Sequence, residues 1–144
     1  MDPGRIRAFF AQYASVFNRS LAGQADLSEV TALYATEVIG ASPAGVRAGR
    51  NDASLKEAMD QGYERYRAMG TQAMSVRHVR TCPIDEGHAL AHVAWTATYA
   101  REGLPNVAID FEVHYLLQER DGEITVFGWV SGDEEAVLRQ HGIV

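Results

Sequence analysis

A chain of 144 residues with a single cysteine and a formal charge of −6 is read as one domain over 1–144, cytoplasmic and without an internal disulfide. At that length folding buries roughly 68–70% of the unfolded surface, so a core forms without metal or disulfide staples. Thirteen Lys and Arg against nineteen Asp and Glu disfavour nucleic acid, whose affinity rests on cationic contacts to phosphate, and the only lysine, Lys56, lies beside the apolar stripe of its helix, which argues against Schiff-base chemistry.

The N-terminus carries no long apolar run, so neither signal peptide nor membrane span is expected there. Ile6, Phe9, Phe10, Tyr13, Phe17 and Leu21 recur at three- and four-residue steps and predict a first helix that stops at Gly23. Asp26 and Glu29 have capping-box spacing, and Leu27, Val30, Leu33 and Tyr34 follow as a short second helix. Val38 to Gly49 reads as two short strands about a Pro43-Ala44-Gly45 turn. Asn51 or Asp52 caps a third helix whose inward stripe is Leu55, Met59, Gly62, Tyr63 and Tyr66, with Gly70 at its end.

The period then changes to two. Ser75 to Ile84, His88 to Ala100, Val107 to Gln118 and Glu123 to Ser131 are predicted strands joined by short turns, hence an antiparallel meander. Asp121-Gly122 is a strong hairpin signal, because Gly accepts the positive φ of a tight turn. Ser131 and Glu134 have the spacing of a second capping box and start a last helix. Within the strands, odd positions are apolar: Ala91, Val93, Trp95, Ala97 and Tyr99, then Ile109, Phe111, Val113, Tyr115 and Leu117. That face is expected to lie under the helices, with His92, Glu112 and His114 on the other. Cys82, between Thr81 and Pro83, is expected to be an inert thiol.

Helix, helix, small hairpin, long helix and four-stranded meander, from Phe10 to Gly142, resembles the nuclear transport factor two-like superfamily. Leu33 to Arg50 and the C-terminal hairpin are similar to its SnoaL-like group in particular. The resemblance implies an α+β fold, a curved antiparallel sheet wrapped around N-terminal helices as in the cystatin-like or ketosteroid isomerase-like roll, enclosing a cone. It implies a cofactor-free, metal-free pocket for a small apolar or aromatic molecule, and a homodimer through the outer sheet face. The pocket residues so implied are Tyr13, Phe17, Ser42, Met59, Tyr63, Trp95, Tyr99, Phe111, Val113, Tyr115, Phe127 and Trp129.

In the isomerase branch a helix-one tyrosine donates to the oxyanion, and it falls on Tyr13. The branch's general-base aspartate falls on Ser42 and its protonated second aspartate on Val113, so two of three roles are missing and typical ketosteroid isomerisation is not expected. A one-residue slip would instead bring His114 inside to act with Tyr13 in a dehydratase or cyclase, at the cost of burying Asp110 and Glu112. His78, His92 and His114 share one face, but Arg80 beside them argues against a metal. Two readings stay open: an enzyme working by proton transfer, and a non-catalytic ligand-binding or dimerising module. A buried ionisable group facing Tyr13 separates them.

Overall fold

The computed structural model describes residues 1–144. Helix α1 (Pro3–Leu21) starts where Asp2 accepts a hydrogen bond from the Gly4 amide at 3.0 Å and ends where Gly23 turns at φ 74. Its buried stripe includes Ile6, Phe9, Phe10 and Val16. Helix α2 (Leu27–Thr31) has the full Asp26–Glu29 capping box.

The second helix is shorter than its apolar spacing predicts. Tyr34 opens strand β1 (Tyr34–Ser42), where it pairs with Val126, and the Asn51 side chain fixes the junction by donating to the Thr31 and Tyr34 carbonyls at 2.7 and 3.1 Å. β-branched Thr36, Val38 and Ile39 favour extension, and the sheet offers their backbone groups partners. Strand β2 (Gly45–Arg50) returns from a turn at Pro43-Ala44, with Ser42 opposite Gly45. Asp52 caps helix α3 (Ala53–Ala68) through the Ser54 amide at 2.9 Å.

Strand β3 (Thr71–Pro83) begins four residues before Ser75 and is followed by β4 (His88–Tyr99), β5 (Val107–Arg120) and β6 (Glu123–Ser131). Asp121 and Gly122 both take positive φ, 53 and 78, as a tight hairpin turn requires. Helix α4 (Glu134–Gln140) is capped by Asp133, whose Oδ1 accepts from the Ala136 amide at 3.0 Å, and not by Ser131. Ser131 is still paired with Val113 in the sheet, so its backbone is committed to the ladder.

The sheet order is β2-β1-β6-β5-β4-β3, an antiparallel meander extended by β1, which lies parallel to β6. The meander's odd face meets α1: Val93, Trp95 and Leu117 are fully buried with Ile6, Phe10 and Val126. Val93 is fully buried in the core with Val113 opposite it and packed against that core, while His92 stands opposite His114 on the other face, so the one-residue slip does not occur. No helix is long and apolar enough to cross a membrane.

Candidate functional site

Helical spacing places Tyr13 and Phe17 one turn apart on α1, and Met59, Tyr63 and Tyr66 along one stripe of α3. Strand alternation turns Ile109, Phe111, Val113 and Tyr115 toward them. Between these elements lies a cavity of about 440 Å³, closed by Tyr34, Tyr99 and Trp129 and bordered by the start of α4. All six tyrosines of the chain line it.

Tyr13, Tyr34 and Tyr115 form a hydroxyl cluster. Tyr13 Oη and Tyr34 Oη are 2.6 Å apart, the Tyr13 and Tyr115 rings meet edge-on with centroids 5.7 Å apart, and the Trp95 indole N–H donates to Tyr115 Oη at 3.2 Å. The Tyr13–Tyr34 bond uses one of that pair's two O–H protons and Tyr115 accepts from the Trp95 N–H, so hydroxyl protons are left for water or a ligand. Burial raises the Tyr13 pKa, opposed first by the hydrogen bond with Tyr34, whereas Tyr34 and Tyr115 are held well above the usual phenol value, first by burial and then by Tyr13. Tyr63 is pushed up to about 12 by burial, which also raises Tyr66 and Tyr99. At neutral pH the wall is therefore uncharged phenol. Tyr66 donates to Glu134 Oε1 at 3.2 Å on the rim, where Glu134 is exposed.

Of the residues expected here, Tyr13, Phe17, Met59, Tyr63, Tyr99, Phe111, Val113, Tyr115 and Trp129 line the cavity. Trp95 does not: it is fully buried behind Tyr115, in the core beneath α1. Ser42 borders a separate hollow of about 500 Å³ along the β1–β2 hairpin, where its hydroxyl accepts from the Ala44 amide at 3.2 Å. Phe127 packs against His88 on the outer face. The cause is a bulge: Leu117 pairs with Val126 but Leu116 with Gly128, so Phe127 is an extra residue and parity does not carry through it. Tyr34, Tyr66 and Met74 also line the cavity and escaped the sequence-based set. Tyr66 lay on the inward stripe of α3, whereas Tyr34 was hidden by its assignment to a helix.

His114 is outside, its Nδ1 2.6 Å from Nδ1 of His92, so one ring carries the proton between them. Cys82 Sγ lies 3.7 Å from His92 Nε2. The His92 pKa is lowered by desolvation, then by Arg80 and His114, with Glu112 opposing. No group of three His, Cys, Asp or Glu side chains is arranged to hold a metal ion. Inside the cavity no carboxylate or imidazole faces Tyr13, and the only charged lining residues, Glu112, Asp133 and Glu134, are all exposed.

A family model described as NTF2-like protein (DUF6841) matches residues 2–134. No protein of curated function matches. Among solved structures the chain is similar to an NTF2-like protein with a cystatin-like fold from Novosphingobium aromaticivorans, at 14% identity over 99% of this chain and 88% of that one, TM-score 0.71. It is also similar to an NTF2-like protein of unknown function from Shewanella oneidensis, at 15% identity over 92% and 100%, TM-score 0.68. A ketosteroid isomerase-like protein from Erwinia carotovora atroseptica matches at 16% identity over 88% and 92%, TM-score 0.59. At these identities the likeness is one of fold: a curved sheet over N-terminal helices.

Proposed function

The chain belongs to the NTF2-like family DUF6841, and from that premise we propose that it binds a small, ring-containing apolar molecule in the tyrosine-walled cavity and does not transform it. The observation that carries this reading is the hydroxyl cluster facing Tyr13: it offers a hydrogen-bond donor to a ligand, and no base. Removing a positioned base costs about 10²–10⁴ in rate, and Ser42 and Val113 occupy the two positions where the isomerase pattern has carboxyls. A volume of about 440 Å³ lined mostly by aromatic and aliphatic side chains suits a fused-ring ligand with one acceptor atom.

Fluorenone and fluorene, equal in outline and different in one carbonyl, test it by calorimetry. Wild type is expected to prefer the ketone, and Tyr13→Phe to weaken the ketone by roughly 3–10-fold, the net worth of one hydrogen bond, so that the preference shrinks. Absence of binding by either compound overturns the cavity reading. Efficient isomerisation of a 3-keto steroid overturns the non-catalytic half.

We also propose that a second copy covers the outer sheet face. Ile39 and Val130 are 42% and 48% exposed there, beside Leu90, Leu116 and the His92–His114 pair, and a two-fold contact lets each polar group meet its counterpart. Sedimentation across micromolar concentrations should show a dimer that Glu112→Lys weakens. A monomer throughout, or a dimer indifferent to that reversal, counts against it.

A further inference from the structure

The charge of the cavity lining is one-sided. Its 22 residues include no Lys, Arg or His, and their only ionised groups are carboxylates. Glu112 belongs to the outer sheet face by strand parity, and Asp133 Oδ1 is occupied by the Ala136 amide. Glu134 remains, hydrogen-bonded to the Tyr66 hydroxyl and close enough that its charge raises both Tyr66 and Tyr99. Glu134 makes no ion pair, and Arg65 is paired with the neighbouring Glu135. Phe17 meets Tyr63 and Tyr66 edge-on, each at 5.5 Å between ring centroids, so a bank of aromatic rings adjoins the Glu134 carboxylate.

Resting on the ligand-binding reading, we propose that the molecule taken by this cavity is a hydrophobic amine, held as its ammonium ion at the Tyr66–Glu134 rim with its ring system, and the acceptor atom that system carries, among the tyrosines. An ammonium group gains from the negative faces of aromatic rings and from an unpaired carboxylate. Neutral phenol oxygens supply lone pairs for its N–H donors. A carboxylate ligand would meet like charge at the rim and no cation within. A neutral ligand would leave Glu134 satisfied only by Tyr66 and water. The acid is therefore not a site by itself. It is the charged edge of a cavity lined by aromatic rings.

Three probes that share a naphthalene ring separate the outcomes: 1-naphthylmethylamine, 1-naphthalenemethanol and 1-naphthoic acid, titrated by calorimetry at low salt. The expected order is amine, alcohol, acid, with the amine about tenfold tighter than the alcohol. Glu134→Gln should bring the amine-to-alcohol ratio toward one, and Asp133→Asn, which keeps the helix cap, should lower it less. An alcohol that binds as tightly as the amine, or a ratio unmoved by Glu134→Gln, overturns the cation assignment while leaving the cavity reading in place. Failure of all three probes to bind overturns the cavity reading and this inference with it.

Discussion

Trp95→Ala is expected to lower the unfolding free energy by about 3–5 kcal/mol, the cost of removing a large aromatic side chain from a packed core. Trp95 has no exposed surface and lies between Phe111 on β5 and Val76 on β3. Its ring centroid is 5.9 Å from that of Tyr13, and its N–H is the donor that holds Tyr115 Oη. Truncation therefore leaves a void and also a buried oxygen with one partner fewer. Trp95→Phe fills much of the void without restoring the donor and should recover part of the loss. Urea denaturation of the three proteins measures both terms. A loss under about 1 kcal/mol for the alanine variant, the ordinary size for a single substitution, would show that Trp95 is not packed as described.

The same residue shows how far sequence reasoning reaches. Alternation placed Trp95 on the face under the helices, and that is where it lies. Alternation says nothing of depth along that face, and depth decides between cavity wall and core. Tyr115, four pairings along the neighbouring strand, accepts from the Trp95 N–H and lines the cavity that Trp95 does not reach. Local chemistry was legible at the Asp26–Glu29 box, at the Asn51-Asp52 start of the third helix and at the Asp121-Gly122 turn, each of which depends on a few adjacent residues.

What was not legible depends on partners distant in sequence. Tyr34 joins a strand because β6 pairs beside it and Asn51 ties down its carbonyl, and neither residue is within its local window. Phe127 faces outward because the β5–β6 ladder carries an extra residue, which hydropathy does not mark. The last helix shifts its cap from Ser131 to Asp133 for a related reason: the sheet claims Ser131 first. Tyr13, Tyr63, Tyr99 and Tyr115 were expected in the pocket, but the six tyrosines come from five separate elements, α1, β1, α3, β4 and β5, and only the fold reveals that Tyr34 and Tyr66 join them around one space.

That convergence predicts an abrupt alkaline unfolding. In the unfolded chain all six phenols titrate near 10, whereas in the folded protein every one is raised, first by burial, Tyr63 to about 12. A group whose folded pKa lies above its unfolded value contributes stability that is intact below the unfolded value and lost as pH climbs toward the folded one. Each tyrosine then costs about 1.4 kcal/mol per pH unit, and six in concert approach about 8 kcal/mol per unit, against a total stability of roughly 5–15 kcal/mol. The fold should therefore hold at pH 9 and collapse within about one to two units above pH 10. Phenolate absorbance and far-UV circular dichroism, followed together, should change in one step, while the urea-denatured chain titrates smoothly near pH 10. Phenolate that appears gradually from pH 10 with the dichroism unchanged would mean that the tyrosines are wetted by solvent, and with them the cavity wall on which both ligand proposals stand.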